Sequence, residues 1–258
     1  MKVASIIAVR LKSERLLEKA KRKIGNYSSI EFCIKNTLKI KESNLTILAT
    51  SSNEQDAELS NYLYDSSKVI FHKGDADDVV DRYLKAIEKY KIDVFFRITG
   101  DTPFVSSDIA TYLFQRHLDS GADYTVGKSA TIGTNLEIIN SEALRKVKKY
   151  FPSANYSEYM TWYFQNNPEY FDLNFVDLPK KWVRDYRLTL DYQEDLELFN
   201  QIENHFVSNK IEYSIDKLYE FLDANPELSK INKHIPQAYQ TDQKLIDTLN
   251  RVTKINLD

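Results

Sequence analysis

Val3-Ala4-Ser5-Ile6-Ile7-Ala8-Val9, followed at once by Arg10-Leu11-Lys12-Ser13-Glu14-Arg15-Leu16-Leu17-Glu18-Lys19, decides how the chain is read. Seven residues without a charge read as a central strand of a parallel sheet, covered on both faces. The run falls far short of the ~20 apolar residues that span a bilayer. It also lacks the leucine-rich core and small-residue cleavage site of a secretory signal. The expectation is a cytoplasmic protein with no membrane segment.

Outward from this strand, apolar runs alternate with amphipathic stretches. Residues 29–40 read as a helix with Ile30, Cys33, Ile34 and Leu38 on one stripe, and 45–50 as a second strand. Asn53 is placed to cap a helix over 54–64. A strand at 69–71, a helix over 77–90, a strand at 93–98, a helix over 107–118 and a short strand at 124–126 follow. Strands separated by helices of 10–15 residues imply βαβ units, hence an α/β fold with a mostly parallel central sheet and helices on both faces. Past residue 130 the pattern loosens. A strand over 135–140, helices over 141–150 and 156–165, a return to the sheet at 186–190 and a helix over 193–205 are expected. A helical segment at 214–258, broken at Pro226 and Pro236, completes the chain. No repeat or linker divides it, so 1–258 is read as one domain, with 130–180 as an excursion from the sheet.

Composition removes several function classes. Of 258 residues, 42% are apolar and 28% charged, an ordinary balance for a chain with a sizeable core. The net charge of −3 leaves no broad cationic face for a nucleic-acid backbone. A single cysteine, Cys33, excludes a disulfide framework and a thiolate zinc site. The six glycines, at 25, 74, 100, 121, 127 and 133, permit neither GxGxxG nor GxxxxGK[ST]. Any phosphate is therefore held by side chains or by a loop of another design.

Ligands of open parallel sheets bind beyond the carboxyl ends of the strands, so the polar residues there carry the chemistry. The loop after the first strand holds four cations in ten residues, able to wrap a polyphosphate; read as a solvated loop it would mean nothing. Thr99-Gly100-Asp101-Thr102-Pro103 puts Asp101 at the crevice, as a Mg²⁺ ligand or a turn residue. Asp191, after Arg187-Leu188-Thr189-Leu190, is a second such carboxylate, or a helix cap paired with Glu194. Asp75-Ala76-Asp77 has the form of a glycosyltransferase metal motif, while Asp77 and Asp78 also suit a helix N-terminus, with Arg82 one turn on to pair with Asp78. The histidines at 72, 117, 205 and 234 share no ligand spacing.

These motifs, in this order, resemble the cytidylyltransferases that activate acidic sugars. The resemblance is to the SpsF-type branch of spore-coat polysaccharide biosynthesis, akin to CMP-KDO and CMP-sialic acid synthetases. It rests on Ala8 to Leu16 with Lys19, on Ala49-Thr50-Ser51, on Gly74 through Asp78-Val79 to Arg82-Tyr83, and on Arg97 to Pro103. Asp123-Tyr124, Gly133 with Glu137, Glu158 with Thr161, Arg187 to Asp191, Asn225-Pro226-Glu227-Leu228 and Ile231-Asn232 continue it.

The resemblance implies a nucleotide-diphospho-sugar transferase (GT-A-like) fold, and transfer of CMP from CTP to an acidic 2-keto sugar with release of pyrophosphate. It implies that Arg10, Ser13, Arg15 and Lys19 bind the CTP phosphates. Ala8, Leu11, Thr50, Thr99 and Gly100 would complete the nucleotide site, Asp78 and Arg82 would close it, and Asp101 and Asp191 would hold Mg²⁺. Glu137, Glu158 and Arg187 would face the acceptor, and 130–180 would pair two copies into a homodimer. Arg10, Lys19 and Asp101 are the expected catalytic set. Two alternatives stay open: a glycosyltransferase using Asp75 and Asp77, and a nucleotide-binding homologue without turnover. Three positions depart from the family pattern. Leu17-Glu18 stand where Pro-Gly precedes the lysine, Tyr159 follows Glu158 where His is common, and Val9 precedes Arg10 in place of Pro. Glu18 forgoes glycine's backbone freedom and brings an anion to the expected triphosphate.

Overall fold

A computed structural model describes residues 1–13 and 15–256. Glu14 of the cationic loop, and Leu257 and Asp258 at the end of the expected 214–258 segment, lie outside the described residues. The opening apolar run forms strand β1 (Val3–Ala8). A polar loop and a short hairpin, β2 (Lys23–Ile24) with β3 (Tyr27–Ser28), lead into helix α1 (Ser29–Thr37). Ser28 starts that helix through a reciprocal cap, its Oγ accepting from the Glu31 amide while the Glu31 carboxylate accepts from the Ser28 amide at 2.7 Å. Then come β4 (Leu45–Ser51), β5 (Val69–Gly74), α2 (Val79–Tyr90), β6 (Val94–Thr99), α3 (Ser107–Ser120), β7 (Tyr124–Lys128), β8 (Glu137–Asn140), α4 (Ser141–Tyr150), α5 (Thr161–Gln165) and β9 (Leu173–Asp177). Helices α6 (Gln193–Ser208), α7 (Ile215–Ala224), α8 (Pro226–Ser229), α9 (Ala238–Thr241) and α10 (Gln243–Val252) complete the described chain.

Seven strands make one sheet in the order β5-β4-β1-β6-β8-β7-β9, in which only β8 runs against its neighbours. Successive residues of each central strand enter opposite cores, as the two-residue period of a strand demands. Ile7, Leu48 and Phe96 pack with α1, α3 and α6, while Ile6, Ile47 and Phe95 pack with α2, α4 and α5. The expected α/β architecture, a mostly parallel sheet between helical layers, is the architecture observed.

Three expectations need correction. Residues 186–190 form no strand: apart from one bridge between Ile132 and Arg187 they run as an extended strap. Leu188 and Leu190 are buried as the alternation required, but the strap's amides serve loops instead, Leu188 donating to Ile132 O and Leu190 to Asp101 O, each at 2.8 Å. The outer strand is β9, whose sequence LNFVD gives only a weak period. The 130–180 stretch does not leave the sheet as a block, since it supplies both β8 and β9. Residues 55–62 form a 3-10 helix entered through Glu54, without a side-chain cap from Asn53.

Candidate functional site

The carboxyl ends of β1, β4 and β6 are tied together where the chain leaves the sheet. Gly100 N donates to Ala8 O (2.8 Å), Val9 N to Ala49 O (3.1 Å) and Thr50 Oγ1 to Val9 O (2.9 Å). Ala8, Thr50, Thr99 and Gly100 therefore converge at one crevice, at the end of the sheet where the topology places ligands. From there the cationic loop departs. Arg10 Nη1 donates to Ala76 O at 2.9 Å and lies 3.9 Å from Asp77, which bridges the loop to the one after β5. Leu11 donates its amide to the buried Asp56 (2.7 Å) and turns its side chain into the core, so it offers the crevice no side chain. Ser13 is half-buried on the same loop.

Lys19 is the hub. Its Nζ donates to Asp101 Oδ2 at 2.8 Å and Asp191 Oδ1 at 2.9 Å, and Arg15 Nη2 reaches the same Asp191 oxygen at 2.5 Å. Residues 82 and 172 positions away from Lys19 thus meet on one ammonium. The backbone makes this possible: Leu190 N and Thr189 Oγ1 both donate to Asp101 O, at 2.8 and 3.3 Å, which welds the strap to the turn after β6. Burial opposes both charges, but the pairing prevails. The Lys19 ammonium and the Thr99 hydroxyl hold the Asp101 pKa down at about 2, and the two carboxylates raise that of Lys19. Asp191 caps no helix with Glu194, contrary to the alternative reading. Asp195 does that work, accepting from the amides of Asp191 (2.8 Å) and Tyr192 (2.9 Å) at the start of α6.

Behind Asp191 stands a network that the sequence reading missed. Arg187 is buried and binds Asp195 through Nε (2.8 Å) and Nη2 (3.1 Å), and Asp191 through Nη2 (3.2 Å). Asn232 donates to Arg187 O (2.9 Å) and Asp195 Oδ1 (2.8 Å). In sequence Asp195 looks like any acid in a helix first turn. Only its spacing of eight from Arg187 hinted at more.

Several remaining candidates are committed to structure. Arg82 does not pair with Asp78. It is buried, and its guanidinium donates to Asp75 O (2.9 and 2.7 Å) and Ala76 O (3.1 Å), fixing the loop that Arg10 also holds. Asp78 caps α2 at the Asp81 amide (2.9 Å) and pairs with Lys148 (2.6 Å). Asp75 accepts from the amides of Asp77 and Asp78 (2.9 and 2.8 Å), so its carboxylate closes a turn, while Asp77 projects into solvent. The DxD spacing is turn chemistry here. Glu137 is buried with both oxygens in use, Oε1 by Tyr124 and Thr161 and Oε2 by Arg97. It joins β6, β7, β8 and α5, so neither Glu137 nor Arg187 faces open space as the acceptor expectation required. Glu158 is exposed and lines a cavity of about 590 Å³, with Arg10, Asp77, Asn155 and Tyr156 also on its wall. Among the described residues no group of three or more His, Cys, Asp or Glu could hold a metal.

Glu18 realises the backbone cost that its position implied. It sits in the left-handed region (φ 50°, ψ 37°), where a side chain is disfavoured, and turns the chain so that Lys19 faces the carboxylates. Its carboxylate is drawn aside to Lys21 at 2.6 Å. Glu18→Gly should accordingly tighten binding of a nucleoside triphosphate by roughly two- to fivefold, by removing an anion near the cations at an exposed position. A nucleotide titration of the two proteins checks this, and weaker binding by the variant would contradict it.

The family model described as Cytidylyltransferase matches residues 4–235. The chain is 29% identical over 228 residues to the spore coat polysaccharide biosynthesis protein SpsF of Bacillus subtilis, covering 86% of this chain and 94% of that protein. A cytidylyltransferase structure from Leptospira borgpetersenii serovar Hardjo-bovis superposes with a TM-score of 0.81 at 26% identity, over 92% of this chain and 100% of that one. The structure of CMP:2-keto-3-deoxy-manno-octonic acid synthetase complexed with CTP shares the fold, with a TM-score of 0.59 at 13% identity over 81% of this chain and 100% of that one.

Proposed function

Because this chain belongs to the cytidylyltransferase family, and is therefore a nucleotidyltransferase, we propose that it transfers CMP from CTP to the hydroxyl of an acidic 2-keto sugar, releasing pyrophosphate for surface-glycan synthesis. The observation that carries this reading is the convergence of Lys19 and Arg15 on Asp101 and Asp191. Family membership removes the glycosyltransferase alternative. The acidic-sugar acceptor is drawn from the named activity of the synthetase that shares the fold, and the glycan role from that of the spore-coat relative.

In this reading Ala8, Thr99 and Gly100 line the base and ribose pocket, while Thr50, fully buried with its hydroxyl on Val9 O, braces the loop beside it. Arg10, Ser13, Arg15 and Lys19 take the triphosphate, offering forked and point-charge donors to its oxygens. The transfer needs alignment and charge neutralisation more than covalent help. Lys19, bonded to both carboxylates, and Arg15, bonded to Asp191, would meet the charge that grows on the departing pyrophosphate. Arg82 and Asp78 hold the loop after β5 that closes this end of the crevice. Asp101 and Asp191 suit Mg²⁺, which takes one or two carboxylates and completes its shell with water and phosphate oxygens. Both already converge on one cation, the Lys19 ammonium, which supports this fit. Mg²⁺ bound there would act as template and Lewis acid at the α-phosphate.

The acceptor would lie toward Glu158 and the adjoining cavity. Self-association through 130–180 is part of the same proposal, and the half-exposed Phe175 on the edge strand β9 favours it. Light scattering that finds a monomer at micromolar concentration would contradict that part.

The test of the reaction is pyrophosphate release from each of four nucleoside triphosphates with Mg²⁺ and a panel of eight- and nine-carbon 2-keto acid sugars. Release with CTP and one acid, lost in Asp101→Ala, is expected. Release with another triphosphate and not CTP would overturn the assignment.

A further inference from the structure

Asp195 has been given no role in the reaction, yet it is among the most heavily bonded carboxylates beside the crevice. It is fully buried. Oδ1 accepts from Arg187 Nε and Asn232 Nδ2, both at 2.8 Å; Oδ2 accepts from Arg187 Nη2 (3.1 Å) and from the amides of Asp191 (2.8 Å) and Tyr192 (2.9 Å). The two amide bonds fix the turn that carries Asp191. The guanidinium bonds decide where a buried charge goes.

Arg187 Nη2 lies between two carboxylates, but they share it unequally. Asp195 takes two nitrogens of the fork, whereas Asp191 receives one bond, at 3.2 Å, on Oδ2. A guanidinium matched by one carboxylate has spent its strongest geometry there. Were Asp195 uncharged, the nearest anion left to the fork would be Asp191, and a full positive charge would settle on the carboxylate assigned to the divalent cation. We infer that Asp195 is a positioning residue whose charge holds the Arg187 fork to itself and limits Arg187 to a single bond on Asp191, so that the Asp191 charge stays less compensated and open to a divalent cation. This rests on the reading of Asp191 as a cation ligand.

The test reads cation binding, not turnover. Free Mn²⁺ is followed by its electron paramagnetic resonance signal as it titrates the full chain with CTP and no acceptor. Asp195→Asn should weaken Mn²⁺ binding by at least roughly tenfold, the low end for loss of a group that orients a metal ligand. The double variant Asp195→Asn/Arg187→Gln removes the misplaced charge too, and should return binding to within roughly threefold of the parent. A carboxylate that merely braced the turn would not be rescued by a second lost bond. Normal Mn²⁺ affinity in a folded Asp195→Asn, or a double variant no better than the single, overturns the inference. If Asp195→Asn fails to fold, Arg187→Gln alone decides: binding as tight as the parent or tighter is expected, and loss of binding overturns it. Asp191→Asn separates the two claims. Unchanged Mn²⁺ binding in that variant would overturn the assignment of Asp191 and this inference with it. Loss there beside normal binding in Asp195→Asn would overturn the inference alone.

Discussion

Lys19→Ala should lose stability and turnover together, and should regain stability, but not turnover, when Mg²⁺ is added. Lys19 is the shared partner of Asp101 and Asp191, and removing it leaves two carboxylates a few ångströms apart with Arg15 and Arg187 as their remaining cations. Breaking such a pair costs about 3 kcal/mol, the low end for buried ions because Asp101 keeps 26% of its side chain exposed. A divalent cation offsets that repulsion, so the melting temperature of the variant should climb more steeply with Mg²⁺ than that of the parent. Pyrophosphate release should stay down by about 10²–10³, as for loss of a group that meets developing charge. Thermal melts across a Mg²⁺ series and initial rates check both halves. A variant as stable as the parent without Mg²⁺, or one that turns over normally, would contradict the assignment of Lys19.

Gly133→Ala should be at least as damaging to stability, from a residue that is no part of the crevice. Gly133 has φ +91°, and a Cβ there would stand 2.1 Å from Leu188 O, 2.2 Å from Leu188 C and 2.6 Å from Thr189 N. These are backbone atoms of the strap that delivers Asp191, held on the other side by the Leu190 amide on Asp101 O. No rotamer relieves the contact, so the strap must move. The expected cost is about 3–5 kcal/mol, the range of the larger single-site effects. A displacement near 1 Å at Asp191 should lower kcat by about 10². Gly121→Ala is the control: its φ of +65° carries the left-handed penalty, but nothing lies within 4 Å. It should cost about 1 kcal/mol and leave kcat unchanged. Equal effects of the two substitutions would show that the strap does not position Asp191.

What the sequence revealed, and what it hid, follows from the range of the interactions. Periodicity is local, so β1, β4, β6, α2 and α4 were legible from their apolar residues. It misled at 186–190, where Leu188 and Leu190 do alternate inward but their own amides pair with loops 56 and 89 residues back. It also failed at β9, where Asn174 interrupts the apolar pattern and the strand is secured by pairing with β7. Side-chain pairing was the least legible level. Arg82 with Asp78 satisfied the helical spacing, yet the Asp75 and Ala76 carbonyls claimed the guanidinium because the loop folds back over it. Likewise Glu194 had the spacing for Asp191, but Asp195 is the acid that reaches the amides. The residues now grouped around Lys19 were each visible at a strand end or in a loop. Their meeting on one ammonium is tertiary, and only the ordered resemblance along the chain anticipated it. Glu18 was legible in part: the loss of glycine's backbone freedom could be read from the family pattern, whereas the left-handed turn and the draw of its carboxylate to Lys21 could not.

The most direct measurement of the central claim is a calorimetric titration of the full chain with CTP in the presence of Mg²⁺, set beside ATP, GTP and UTP and repeated with Lys19→Ala. Binding of CTP in preference to the other three, weakened in the variant, is what the account predicts. A chain that binds no CTP, or binds it equally well without Lys19, would contradict it.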